Sequence, residues 1–194
     1  MSLNNVFLRP VTKNDVSRIK LWLKDDDICN SWFGRYSYGD PAHLGYHPEE
    51  IEQASDEEWN HTFNNPEHRI LSIYTENGTH IGESHMFVEE SLGDGHASIL
   101  IGRKDMWHQG YGTRSMIELL ELSFNEWNLY RVWVDVPEYN TAAMKMCRGL
   151  GFVHEGTLRK SRPHEGSRFD SVVMGILESE YKAISIHEGT SHKV

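Results

Sequence analysis

Trp107-His108-Gln109-Gly110-Tyr111-Gly112-Thr113-Arg114 joins an apolar, strand-like run, Ala97 to Gly102, to an amphipathic helical pattern. Two glycines at the opening of a helix make a place for an anion. Gly110 and Gly112 carry no side chain to hold a phosphate off the backbone, and the first helical turn offers unpaired N–H groups at the positive end of the helix dipole. A phosphorylated cofactor suits this stretch. It is not a Walker loop, because Gly112 is followed by Thr113 and Arg114, and not a dinucleotide fingerprint, because Ser115 stands where a third glycine would. On glycine spacing alone an ordinary strand-to-helix turn fits equally well.

A second group of residues suits a cation. Asp25-Asp26-Asp27, Glu49-Glu50, Glu52 and Asp56-Glu57-Glu58 are interleaved with Trp32, Phe33, Tyr36, Tyr38 and Tyr46. Carboxylates and aromatic faces together attract an ammonium group by charge and cation–π contact. The same pattern also describes a solvated helix with a hydrophobic underside. The formal charge of −10 favours a cationic partner and argues against general nucleic-acid binding, which depends on clustered Lys and Arg.

These residues need a scaffold. A chain of 194 residues, 38% hydrophobic and without a Pro/Gly/Ser-rich linker, suffices for one buried core, so one domain is expected over residues 1–181, with a polar, poorly ordered tail over 182–194. The apolar runs are too short to span a bilayer, and the N-terminus lacks a basic segment followed by an apolar one. A soluble, cytoplasmic protein without a membrane partner is the expectation. Cys29 and Cys147 are too few for a disulfide framework. The His-Glu-Gly triplets at His154, His164 and His187 lack the second histidine one helical turn on that a zinc site requires, so no metal is expected.

Val6 to Pro10 reads as a first strand, and Thr12-Lys13-Asn14-Asp15 as a capping box before a helix with Val16, Ile19 and Leu23 on one side. A second helix is predicted from about Pro48 to His61. Ile70 to Tyr74 and Thr79 to Val88 form a hairpin about Glu76-Asn77-Gly78, and His96 to Arg103 continues the meander. Met116, Leu119, Leu120, Phe124 and Trp127 then recur at helical spacing before a β-rich run, Tyr130 to Val136, which completes a βαβ crossover. Asn140 caps a further helix with Ala143, Met144, Cys147 and Leu150 inward and Gly151 at its end; Phe152 to Leu158 and Phe169 to Leu177 make a closing hairpin. The fold class is α/β (α+β), a mixed, mainly antiparallel sheet flanked by helices.

Taken in order, Leu8-Arg9-Pro10, Trp107 to Thr113, Asn140-Thr141-Ala142-Ala143 leading to Gly151-Phe152, Glu155-Gly156-Thr157-Leu158-Arg159 and Asp170 to Leu177 resemble a known pattern over almost the whole chain. It is that of the GNAT superfamily of acetyl-CoA-dependent N-acetyltransferases, and within it the branch of ribosomal-protein alanine N-acetyltransferases. The resemblance implies that the strands His96 to Arg103 and Tyr130 to Val136 lie parallel and then splay into a wedge. The pantetheine arm of acetyl-CoA would enter there against backbone groups of Leu100, Ile101 and Gly102, with the pyrophosphate on the amides of His108, Gln109, Gly110, Tyr111, Gly112, Thr113 and Arg114. Asn140 would hold the cofactor through its amide as well as capping its helix. Arg148 or Lys145 either meets the adenosine phosphate or lies on a solvated face.

The resemblance also implies transfer of an acetyl group, without a metal, to a primary amine by direct attack in a ternary complex. The acceptor would be a protein N-terminus, a polyamine or an aminoglycoside-like molecule, and a homodimer is compatible with it. A non-catalytic acetyl-CoA sensor or interaction module is the alternative. An ammonium with a pKa of about 10 must lose a proton before it attacks. Many relatives carry a glutamate where this chain has His96, and His96, with an unperturbed pKa of about 6.5, suits the same task. Glu83 and His85, on one face of the preceding strand, are the other candidate bases, and Ser98 could hold a water. Some relatives place a proton-donating tyrosine where Cys147 stands; its place on an apolar helix face favours core packing instead.

Overall fold

The structure, a computed structural model, describes residues 4–35 and 45–183. Strand β1 (Val6–Pro10) leads into helix α1 (Lys13–Trp22), which starts where the capping box predicts: the Thr12 side chain accepts from the Asp15 N–H and the Asp15 side chain reaches back to the Thr12 N–H. Asp25 then caps a short helix, α2 (Asp26–Ser31), by accepting from the N–H groups of Asp27 and Ile28. The helix expected from Pro48 to His61 is instead two, α3 (Pro48–Ile51) and α4 (Asp56–Phe63). Ser55 accounts for the break, since its hydroxyl and the Glu58 carboxylate form a second capping box that starts a new helix rather than continuing the old one.

Strands β2 (His68–Thr75), β3 (His80–Glu89) and β4 (Asp94–Ile101) form the expected meander. A 3₁₀ turn, Lys104–Met106, leads into α5 (Tyr111–Glu121), whose last turn widens over Leu122–Glu126. Strand β5 (Arg131–Pro137), helix α6 (Thr141–Gly149) with Asn140 at its cap, and strands β6 (Val153–His164) and β7 (Ser167–Leu177) follow. The last hairpin is longer than its apolar residues suggested. It turns at Glu165 and Gly166, both at positive φ, and its polar extension brings in Arg162. Two of the His-Glu-Gly triplets thus lie on this hairpin, while His187 falls outside the described residues. Lys182 and Ala183 continue a helical turn, and the rest of the predicted tail also lies outside the description.

The seven strands are ordered β1-β2-β3-β4-β5-β7-β6. Every pairing is antiparallel except β4 with β5, which run parallel over only Asp94↔Arg131, Gly95↔Val132 and His96↔Trp133. Beyond His96, β4 keeps its register with β3 and β5 keeps its register with β7, so the two part. On one face, Met116, Leu119 and Leu120 of α5 and Cys147 of α6 pack on Met86, Ala97, Val132, Val134 and Val136. On the other, Val16, Ile19, Ile28 and Ile51 from the first helices gather about Ile70 and Leu100, with Trp32 and Phe33. The sheet is therefore covered on both sides, and its one interruption is the gap between β4 and β5. Among the described residues no helix is long and apolar enough to cross a membrane.

Candidate active site

Gly110 is the N-cap of α5 at φ 85°, a left-handed backbone that a side chain would strain. The N–H of Arg114 is the first to bond within the helix, to the carbonyl of Gly110 at 2.9 Å, so helix geometry leaves the amides of Tyr111, Gly112 and Thr113 without intrahelical partners. At Gly112 the reason for glycine differs. A Cβ there would meet Met146 Sδ at 3.8 Å and Ile101 Cγ1 at 3.9 Å, ordinary contacts, so the protein's own packing does not exclude a side chain. An anion approaching those amides would. Arg114 is drawn back to Glu118 at 2.5 Å, while His108 and Gln109 stand exposed at the turn.

Where β4 and β5 part there is an open cleft. Ala97, Ser98 and Ile99 of β4, Val134 to Pro137 around the end of β5, and Asn140, Ala143, Met146 and Cys147 line it; Ser31, Trp32 and Phe33 close the other side. Met146 lies both in this lining and beside Gly112, so the helix opening and the cleft adjoin. Of the three positions expected to meet a pantetheine arm, two are differently oriented. Gly102 donates its N–H to Ile81 at 2.9 Å, and by ladder alternation Leu100 also bonds toward β3, leaving Ile99 and Ile101 with backbone groups toward the gap. The Ile101 carbonyl accepts from Trp107 Nε1 at 2.8 Å. Gly102 is a glycine because a Cβ would fall 2.0 Å from the Trp22 ring.

Asn140 lines the cleft with its side chain already engaged. Its Oδ1 accepts from the Ala143 N–H at 3.1 Å, and its Nδ2 donates to the Ser31 carbonyl at 2.7 Å, tying α6 to the end of α2. The capping role is thus seen directly. Cys147 is buried, and burial pushes its thiol up to about 12, which suits core packing and not proton transfer.

His96 donates from Nε2 to Asp135 Oδ1 at 2.9 Å. Asp135 also accepts from Arg162 Nη2 and, at 3.4 Å, from Ser171 Oγ. Burial alone would raise the Asp135 carboxyl, but the His96 hydrogen bond and the Arg162 charge outweigh it and hold the group below its ordinary value. An ionised carboxylate only accepts, so the His96 proton sits on Nε2 and Nδ1 is left as the basic nitrogen. The ring is stacked 4.1 Å from Trp133 and its side chain is 20% exposed. Asp135 and Arg162 escaped the sequence reading; the signal was there, since Asp135 is the one acid inside the apolar run Val132 to Val136.

Glu83 and His85 share one face of β3, as alternation predicts, but both are fully buried and neither lines the cleft. They belong to a chain of hydrogen bonds: Tyr46 OH donates to Glu83 Oε1 at 2.9 Å, His85 Nε2 meets Glu83 Oε2 at 2.9 Å, and His85 Nδ1 shares a proton with His68 Nε2 at 3.0 Å. Burial, then the proximity of His85, brings His68 down to about 3. The Trp32 ring covers His85 at 5.1 Å.

The acidic segment is largely paired within the protein. Lys104 bonds Asp25 and Asp27, Arg35 bonds Asp26, Lys20 bonds Glu52, and Glu58 serves the Ser55 cap. The segment does reach the cleft, through Trp32 and Phe33 rather than through its acids; Tyr36 and Tyr38 lie outside the described residues. No group of three or more His, Cys, Asp or Glu side chains that could hold a metal occurs among the described residues.

The fold recurs in solved structures. It matches a spermidine N-acetyltransferase from Vibrio cholerae in complex with CoA and spermine with a TM-score of 0.76 at 21% identity, over 91% of this chain and 98% of that one. A probable acetyltransferase matches with a TM-score of 0.75 at 16% identity, over 90% and 94%. An uncharacterized N-acetyltransferase, p20, of Bacillus licheniformis is 28% identical over 78 residues, 40% of this chain and 44% of that one, so the aligned stretch spans less than half of that relative. Residues 5–153 match the acetyltransferase (GNAT) domain, and with the splayed strand pair and the glycine-opened helix α5 beside it, this chain belongs to the GNAT acetyltransferase family.

Proposed function

We propose that this protein moves an acetyl group from acetyl-CoA to a primary amine held in the same cleft. The observation that carries the proposal is the adjacency of three features: a helix opening whose Gly112 the protein's own packing does not require, a cleft through the sheet, and a cleft-lining carboxylate, Asp135, that holds the ring of His96, the residue next to Ala97 of the lining. Acetyl-CoA supplies an activated thioester. The amides of Tyr111, Gly112 and Thr113, with the turn His108-Gln109-Gly110 and the Arg114 charge, would hold its phosphates. The backbone of Ile99 and Ile101 faces the arm that runs into the cleft, and Leu100 and Gly102 support that strand from β3.

His96 takes the ammonium proton at Nδ1, and Asp135 fixes the tautomer that makes Nδ1 available. Glu83 and His85 stand behind it as the alternative bases. The acceptor is a protein N-terminus, as the alanine N-acetyltransferase likeness implies, or a polyamine, as the spermidine N-acetyltransferase likeness suggests. The protein acts in the cytoplasm, alone or as a homodimer. A panel of amines incubated with acetyl-CoA and followed by release of free thiol tests the proposal. Thiol release with at least one amine supports transfer. Tight binding of acetyl-CoA with every amine silent would turn the reading to a non-catalytic binding module.

A further inference from the structure

Two residues of the cleft lining carry a hydrogen-bond donor that no acceptor among the described residues receives. Trp32 Nε1 and Ser98 Oγ are each buried at the atom and without a hydrogen-bond partner among the described residues, and both residues belong to the cleft lining. Trp32 as a whole is only 5% exposed. The two are near one another: the Trp32 ring lies 5.1 Å from that of His85, and His85 is the cross-strand neighbour of Ser98. An indole N–H only donates, so a ligand that satisfies it must bring an acceptor.

The donors also have a side. Ser98 shares its strand face with His96, opposite Ala97, which packs in the α5 core, and Trp32 belongs to the cluster built by the first helices. Both therefore lie on the face away from α5, whose opening suits phosphates, and next to the proposed base. Among the described residues Asp135 is the one acid that lines the cleft, and it is held by His96, Arg162 and Ser171; the acids of the first helices lie outside the lining. A polyammonium chain brings no acceptor for the Trp32 indole N–H, whereas a carbonyl oxygen accepts from it and from the Ser98 hydroxyl alike.

We infer that Trp32 Nε1 and Ser98 Oγ bind a carbonyl oxygen carried by the acceptor close to its reacting amine, so that the acceptor class is an α-amino carbonyl compound, a peptide N-terminus or an amino-acid amide, and not a polyamine. This rests on the transfer reading above and deepens it. A carbonyl oxygen two bonds from the amine-bearing carbon accepts from both donors while the nitrogen remains free to react.

The test measures kcat/KM by thiol release for glycinamide, an unblocked tetrapeptide amide, propylamine and spermidine. It compares the unmodified protein with Trp32→Phe, which keeps a ring, and Ser98→Ala, both checked for folding by thermal unfolding. The carbonyl-bearing amines should exceed propylamine and spermidine at least tenfold, and each substitution should reduce that ratio about tenfold, in line with loss of one buried hydrogen bond. Turnover of the peptide but not glycinamide assigns a protein acceptor, and turnover of both a small one. Preference for spermidine, or an unchanged ratio in both variants, overturns the inference. If no amine turns over, the transfer reading fails separately. The subsite is then decided by titrating the CoA-bound protein with glycinamide and following the indole N–H resonance that Trp32→Phe removes: a shift supports the subsite and an unmoved signal refutes it.

Discussion

His96 Nε2 lies 2.9 Å from Asp135 Oδ1, a side-chain bond that spans β4 and β5 where their backbone ladder ends. Trp133 is the last β5 residue paired with β4, and Asp135, two residues on, points to the same face. The strands part while their side chains still touch. The imidazole is thereby held in one tautomer beside the cleft-lining Asp135, and the His96 hydrogen bond with the Arg162 charge from the long closing hairpin keeps that carboxylate ionised.

Replacing His96 by Ala should lower turnover about 100-fold near neutral pH and leave acetyl-CoA affinity, measured by calorimetry, nearly intact. The deficit should shrink as pH approaches the amine's own value of about 10, where the free amine needs no base. A folded variant that matches the unmodified protein across pH would pass the role to Glu83, His85 or an ordered water.

Gly112→Ala should fold normally, since its Cβ would meet only Met146 and Ile101 at 3.8 and 3.9 Å, whereas Gly112→Asp should abolish acetyl-CoA binding by placing a carboxylate beside the phosphates. Gly110→Ala should instead cost about 1–2 kcal/mol of stability, because its φ of 85° is left-handed. Calorimetric titration and thermal unfolding separate the two effects. Undiminished binding by Gly112→Asp would remove the phosphate site from α5.

Neither Cys29 nor Cys147 should react with a thiol reagent at pH 8 in the folded protein, and both should react after unfolding. Both are buried; desolvation raises each thiol, Cys147 to about 12. Rapid labelling of Cys147 in the native state would reopen its candidacy as a proton donor.

His68 should make the fold acid-sensitive. Burial, with the neighbouring His85, lowers it from 6.5 to about 3, so below pH 6.5 the unfolded chain takes up a proton that the folded protein refuses, and stability falls progressively as pH drops toward 3. His68→Gln retains a donor for His85 but does not titrate in this range. Urea unfolding at pH 7 and pH 4.5 should show a smaller loss for the variant; equal losses would place the acid sensitivity elsewhere.

Local sequence determined those elements whose cause is local. The Thr12 capping box, the Asn77-Gly78 turn, the Asn140 cap and the amphipathic α5 depend on residues a few positions apart, so their chemistry can be read along the chain. Strand alternation likewise placed Glu83 and His85 on one face. The glycine-opened helix was legible for the same reason, whereas the splaying of the parallel strands that flank it followed from the family resemblance. What the tertiary structure alone decided is which side chains meet across long separations. His96 reaches Asp135, Arg162 arrives on a polar hairpin extension that apolar periodicity could not mark, and Trp32 covers His85 from a helix end. The pairing of the acidic segment with Lys20, Arg35 and Lys104 is of this kind too. Composition registers a carboxylate's charge, but whether that charge is available to a ligand depends on the cation that folding brings beside it.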